Sequence, residues 1–94
     1  MTDDELDALS RVARAWAGSL VLAERVIAGN IFEVLRAAPE SEGKFAHRFL
    51  TTDVLVLEDA ARKGGPLAAD FLRAAEIVGE FLRREAPTKG GAAR

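Results

Sequence analysis

Residues 3–37 carry the pattern that most constrains the fold of this chain. Apolar or small side chains return there at alternating steps of three and four residues, which is the period of a helix and not of a strand. The stripe consists of Leu6, Leu9, Ala13, Trp16, Leu20, Ala23, Ile27, Asn30, Val34 and Ala37. The sequence therefore predicts one long amphipathic helix with a single polar interruption at Asn30.

A straight helix over this whole segment would be too long for a domain of 94 residues. About 35 residues reach roughly 50 Å, whereas a compact chain of this size has a diameter of roughly 30 Å. Only Glu24 and Arg25 are charged between Ala15 and Phe32, so the overhanging part would expose a wide apolar face. We expect a second copy of the chain to cover it. The predicted dimer or partner interface is Leu9, Trp16, Leu20, Leu22, Ile27, Asn30, Ile31 and Val34.

The alternative to a continuous helix is a bend at Gly29-Asn30. Gly followed by Asn is common at helix C-termini, because both residues tolerate positive φ. The apolar pattern resumes directly afterwards with Ile31, Val34 and Leu35, which favours the continuous helix. A bend would instead let the two halves of the segment pack on each other within one chain.

Capping signals mark the start of the first helix and of the second. Thr2 and Glu5 have the spacing of a capping box, so the first helix should begin at Asp3. After the loop Pro39–Gly43, a second helix should run from about Glu42 or Lys44 to Arg62. The residues Thr51-Thr52-Asp53 inside it are able to cap a separate, shorter helix.

Lys63-Gly64-Gly65-Pro66 is the strongest turn signal in the chain, with glycines past a helix end and Pro in the next first turn. A third helix should run from Pro66 to about Glu85. The predicted fold is therefore all-α, a bundle of three main helices with a long N-terminal helix, completed by homodimerisation. Residues 1–86 should form one domain, and residues 87–94 a flexible C-terminal tail.

Composition restricts the classes of function. The formal net charge of −2 lacks the basic excess of nucleic-acid-binding proteins, so nucleic acid is not expected as a partner. The chain has no Cys and only one His, His47, so thiolate and histidine metal sites within one subunit are excluded. Glu24 and Glu33 are the only acids in the apolar stretch, and they lie on opposite sides of an ideal helix. We predict no catalytic residue, no metal and no cofactor.

The N-terminal residues also bear on localisation. Thr2-Asp3-Asp4-Glu5 is acidic where a signal peptide is basic, and no apolar segment follows directly. Residues 15–32 are mostly apolar, but charged and polar residues interrupt them before they reach the length of a membrane span. We expect a cytoplasmic chain that does not bind a membrane.

His47 offers one alternative function. His47 followed by Arg48 on a predicted bundle helix resembles histidine phosphotransfer domains, in which an exposed His accepts a phosphoryl group and nearby basic residues steady it. The resemblance implies a signalling bundle with His47 as the phosphoacceptor.

Residues 58–66 offer another alternative, because this helix end and Gly turn resemble a helix-turn-helix. Residues 58–84 would then form a small DNA-binding unit. The next helix begins with Leu67-Ala68-Ala69-Asp70-Phe71, which lacks the donors that read base edges. The leading prediction is a non-catalytic adaptor or regulator that forms a homodimer and binds a second, different protein.

Overall fold

The computed structural model describes residues 2–36 and 49–92, and of residues 84–92 it describes the backbone alone. Over these ranges the chain forms helices and no strand, so the all-α prediction is confirmed. The four helices of this part of the chain are α1 (Asp3–Trp16), α2 (Leu22–Arg36), α3 (Thr51–Arg62) and α4 (Ala68–Ala92).

The prediction of one long N-terminal helix is wrong. α1 ends at Trp16 and α2 begins at Leu22, so residues 17–21 divide the segment in two. Gly29 and Asn30, where the alternative places a bend, lie inside α2. Because the connection is short and the two helices pack on each other, they form a helical hairpin. The segment therefore folds back within one chain, at a different position from the one its glycine and asparagine suggest.

Local hydrogen bonds explain where the segment breaks. The Trp16 carbonyl accepts a bond from the Ser19 N–H (3.1 Å), which closes the end of α1. The Ser19 hydroxyl accepts from the Val21 N–H (3.0 Å) and donates to the Glu24 carboxylate, so it satisfies polar groups at the start of α2. Gly18 lies between Trp16 and Ser19 in the sequence. A glycine in a helix interior lowers the stability of the helix by about 1 kcal/mol relative to alanine.

Folding back lets both N-terminal helices bury their apolar faces in one core. The Trp16 ring lies 4.8 Å from the Phe71 ring of α4, and Phe49 lies 6.1 Å from Phe81. One connected core includes residues from all the helices named above. Its largest fully buried side chains are Leu9, Val12, Ile27, Ile31, Leu57 and Val78. No polar or charged residue is buried in the part of the chain that the structure describes.

The predicted cap at Thr51-Thr52-Asp53 is where α3 begins. The Asp53 carboxylate accepts from the Leu50 N–H (2.9 Å), and the Leu50 carbonyl accepts from the Asp53 N–H (2.9 Å). At the other end, Gly64 and Gly65 adopt φ values of 81° and 95°, a conformation that strongly favours glycine. These two glycines end α3 and let the chain reverse into α4.

Two predicted boundaries compare differently with the structure. α4 continues to Ala92, beyond the predicted end near Glu85, so Pro87, Gly90 and Gly91 do not end this helix. The loop Pro39–Gly43 and the predicted helix start at Glu42 or Lys44 lie outside the described residues. The predicted helix does not run unbroken to Arg62, because Phe49 and Leu50 are not helical and Leu50 caps α3.

α3 and α4 form an antiparallel hairpin. Phe49, directly before α3, contacts Phe81 far along α4, while residues 63–67 join the end of α3 to the start of α4. A helix-turn-helix instead crosses its two helices at about 90–120°. In addition, Asp70 in the first turn of α4 is bonded to Arg11 of α1. In a helix-turn-helix, α4 would be the recognition helix, and its N-terminal residues would contact the bases. α1 lies against this end of α4.

Two ion pairs fix α1 against α4 in antiparallel order. The Arg11 guanidinium donates two bonds of 2.9 Å to the Asp70 carboxylate, and Arg73 lies 3.4 Å from Glu5. The two-bond geometry of the first pair is the most favourable one for an arginine and a carboxylate, and Asp70 raises the pKa of Arg11. These contacts set the register of the helices at the surface of the core.

Gly29→Ala should stabilise the protein. Gly29 is exposed in the middle of α2, and a Cβ built there meets nothing within 4 Å. We expect the free energy of unfolding to rise by about 0.5–1 kcal/mol, measured by urea denaturation followed by circular dichroism.

The matched control is Gly64→Ala, the same chemical change at a positive φ. It should lower the free energy of unfolding by about 1 kcal/mol. A loss of stability in Gly29→Ala would contradict an unbroken α2.

Glu5→Gln should destabilise the protein near neutral pH and not in acid. The Glu5 carboxylate accepts from the Thr2 N–H (2.8 Å), which with the nearby Arg73 lowers the pKa of Glu5. A lowered pKa in the folded state adds stability above the unfolded pKa, and this stability is lost as pH falls through the folded pKa. At pH 7 the Glu5 carboxylate should contribute about 0.5 kcal/mol to the free energy of unfolding. The difference in stability between wild type and Glu5→Gln should vanish near pH 2. Thermal melts at both pH values measure it.

Thr2→Ala serves as the comparison for this pH dependence. It removes the hydroxyl that accepts from the Glu5 N–H (3.2 Å), a bond between uncharged groups that persists in acid. We expect a loss of about 1 kcal/mol at both pH values. Equal pH profiles for the two variants would argue against the capping role of the Glu5 charge.

Candidate interaction surfaces

The predicted interface residues fall into two groups. Leu9, Trp16, Ile27, Ile31 and Val34 are buried by their own chain, and Asn30 is half-buried in α2. A partner could reach the buried five only by displacing a helix, so packing within the chain accounts for them. Leu20 and Leu22 are on the surface.

The surface pair belongs to a larger apolar patch at the connection of α1 and α2. Leu20 is 99% exposed, and Val21, Leu22 and Val26 are about half exposed or more. Leu22 and Val26 are four residues apart on α2, so they share one side of that helix. We refer to Leu20, Val21, Leu22 and Val26 as the turn patch.

The turn patch is held in place by the bonds that break the long segment. Ser19 bonds to the Val21 N–H and to Glu24, which fixes the backbone on both sides of Leu20. Trp16, whose carbonyl accepts from the Ser19 N–H, is 7% exposed and packs on Phe71. The exposed leucines therefore project from a turn that is anchored in the core. They are not carried on a loose end of the chain.

A second apolar surface lies between α3 and α4, on the side of this hairpin that faces solvent. It contains a hollow of about 290 Å³ lined by Thr51, Val54, Leu55, Gly79, Leu82 and Arg83. A further hollow of about 310 Å³, nearer the Gly64-Gly65 turn, is lined by Glu58, Ala61, Arg62 and Leu72. Both hollows use the same two helices, and we refer to them together as the α3–α4 groove. Leu55 and Leu72 on its walls are 57% and 49% exposed.

Charged side chains stand at both ends of the α3–α4 groove. Arg83 bonds to Glu80 one turn earlier on α4, and Arg62 lies 3.5 Å from Asp59 on α3. Both arginines are about 70% exposed. Glu58 is half-buried between the two ends. The groove thus has apolar walls, an arginine paired with an acid of its own helix at each end, and the acid Glu58 between them.

The described residues contain no arrangement typical of a catalytic or metal centre. Glu33 pairs with Arg36 at 2.8 Å, and Glu24 accepts from Ser19. No group of three His, Cys, Asp or Glu side chains in these ranges is placed to hold a metal ion. The lowered pKa of Glu5 belongs to the cap of α1.

Two further sequence predictions concern His47 and the membrane. His47 and Arg48, the basis of the phosphotransfer alternative, lie outside the described residues. Of the helices in the described ranges, none combines the length and the apolar character that crossing a bilayer requires.

Sequence reasoning found half of the turn patch and did not identify the α3–α4 groove as an apolar surface. Val21 and Val26 are absent from the predicted interface, and the alternative DNA-binding unit of residues 58–84 was the one site suggested on α3 and α4. One signal was available for Leu55 and Leu72, because both are large apolar residues outside the apolar stripes predicted for their helices. These stripes are Phe45, Phe49, Leu50, Val54, Leu57 and Ala61 for the second helix, and Leu67, Phe71, Ala74, Val78 and Phe81 for the third. A large apolar residue off the buried stripe marks a face that the chain itself leaves uncovered.

Comparison with known proteins gives this chain no family. No model of a protein family matches it, and no curated protein and no solved structure is significantly similar to it.

Proposed function

We propose that this chain is a non-catalytic protein-interaction module, an adaptor or regulator that forms a homodimer through the turn patch. The observation that carries the proposal is Leu20, a leucine that is 99% exposed beside three other exposed apolar side chains. Single exposed leucines are common on proteins, but four exposed apolar side chains within seven residues of an anchored turn are typical of a contact surface.

A second copy is the partner that best fits the turn patch. In a two-fold contact the same patch meets itself, so like charges near the axis would repel each other. No charged residue occurs between Ala15 and Ala23, and the nearest acid, Glu24, is already bonded to Ser19. Self-contact at residues 17–23 therefore brings only uncharged side chains together, and the exposed Arg25 beside Val26 is the one base next to the patch.

The size of the turn patch supports a reversible dimer. Full burial of a Leu or Val side chain is worth about 1.5–3 kcal/mol, and a two-fold contact buries each member of the patch twice. The gross gain is on the order of 8–15 kcal/mol, against an association cost of about 4–15 kcal/mol. We expect a dissociation constant in the micromolar range, since an obligate dimer normally buries a larger apolar area.

The oligomeric state tests this proposal. We expect a dimer in sedimentation equilibrium and light scattering at about 100 µM protein, dissociating on dilution. Leu20→Glu places two carboxylates at the contact, and the dissociation constant should rise at least tenfold. Because Leu20 is almost wholly exposed, the variant should keep the wild-type melting temperature.

The matched control is Leu72→Glu, the same change at an exposed leucine on α4. It should leave the dimer intact. A wild-type protein that is monomeric at about 100 µM, or a Leu20→Glu variant that dimerises like wild type, would contradict dimerisation through the turn patch.

A further inference from the structure

α1 is joined to α2, and through it to the rest of the core, by the short connection of residues 17–21. It packs on α2 and on α4. Trp16 stacks on Phe71 of α4, and Arg11 bonds to Asp70. A helix held in this way can leave its own core and form the same contacts on a second copy of the chain, which is the exchange known as domain swapping.

The connections of the two hairpins differ in what their backbones allow. Gly64 and Gly65 both have positive φ, a conformation that a right-handed helix excludes. Residues 17–21 are all described, and none of them has positive φ. Ala17 is already in the helical region, at φ −58° and ψ −34°, and the segment contains no proline. The α1–α2 connection can therefore become helical, whereas the turn between α3 and α4 cannot.

The buried faces of α1 and α2 are in phase across this connection. Trp16 of α1 is buried, as are Ile27 and Val34 of α2. On an ideal helix drawn through residues 16–34, these three would lie within about 20° of one another, and Leu20 within about 40° of them. A helical connection would therefore place both buried faces and Leu20 on one side of the helix.

Within one chain, half of that side would lack a cover, but two copies can cover it for each other. A two-fold axis at the connection would place α1 of each copy against α2 and α4 of the other. The contacts of α1 with these helices are then kept, and Leu20 of each copy lies beside the axis. The absence of charged residues between Ala15 and Ala23 avoids repulsion there.

We propose that two copies of the chain exchange α1, with residues 17–21 becoming helical in both. The exchange rests on the proposed function, because both dimers place the turn patch at the two-fold axis. A closed chain must release α1 before it can exchange. The exchanged dimer should therefore form slowly, be favoured by high protein concentration and dissociate slowly after dilution.

Cross-linking between copies tests the exchange. The chain has no cysteine, so Arg11→Cys and Asp70→Cys each introduce a single thiol, at two positions that contact each other. The two variants are unfolded together in urea, refolded at about 500 µM total protein and treated with a short bismaleimide. We expect a covalent dimer on a denaturing gel. As a control for reach, one chain carrying both substitutions, refolded at about 1 µM, should give a cross-linked monomer.

Gly18→Ala tests whether the connection becomes helical. A Cβ built at Gly18 meets nothing within 4 Å, so the closed chain tolerates alanine, whereas a helical connection is stabilised by it. Since each dimer contains two such positions, we expect the association constant of the exchanged dimer to rise at least tenfold. The matched control is Gly29→Ala, the same change at a position that is helical in both forms. It should leave this constant unchanged.

The outcomes separate the exchange from the turn-patch contact. A dimer in light scattering without a cross-link between Arg11→Cys and Asp70→Cys would overturn the exchange and leave the proposed function in place. A cross-linked dimer whose dissociation constant is unchanged by Leu20→Glu would instead contradict the turn-patch contact. Equal association constants for Gly18→Ala and Gly29→Ala would overturn the helical connection and the proposal with it. A chain that stays monomeric after refolding would overturn both dimers.

Discussion

The structure depends on the reversal of the chain between Trp16 and Leu22. If residues 3–36 formed one rod, half of its apolar face would lie beyond the rest of the domain, far from any covering side chain. The Ser19 hydroxyl stabilises the reversal by bonding to the start of α2. Trp16 anchors the end of α1 by packing on Phe71 of α4. With the reversal in place, the N-terminal helices cover each other and complete a core with α3 and α4.

The same reversal determines which apolar residues remain outside. A short connection between two helices cannot bury its own outer side, because the chain must turn there and no helix of the described residues lies beyond it. Leu20, Val21 and Leu22 occupy this outer side. The α3–α4 groove has a different origin. α1 packs along one side of α4, held there by Arg11 and Asp70. The opposite side of the hairpin then keeps a shallow apolar channel, since four helices of this size cannot enclose every face.

Much of the local structure followed from the sequence, and the main error came from its longest pattern. The cap at Thr2 and Glu5 and the turn at Gly64-Gly65 were predicted correctly, because each depends on bonds or backbone angles within a few residues. The stripe through residues 3–37 led to the wrong helix because Leu20 and Ala23 are apolar residues at the spacing of the stripe. Both are nevertheless exposed in the structure. Periodicity shows which apolar residues share a face of a helix, whereas the burial of that face depends on whether another element packs against it.

The sequence by itself determined the helical class, the start of α1 and the glycine turn before α4, because hydrogen bonds and backbone preferences between near neighbours decide these features. Only the tertiary structure decided that Leu9, Trp16, Ile27, Ile31 and Val34 are covered by their own chain while Leu20 and Leu22 are not. It also brought Val54 beside Gly79 and Ala61 beside Leu72 to form the groove. These outcomes depend on contacts between residues distant in sequence, and the period of one helix carries no information about its neighbour.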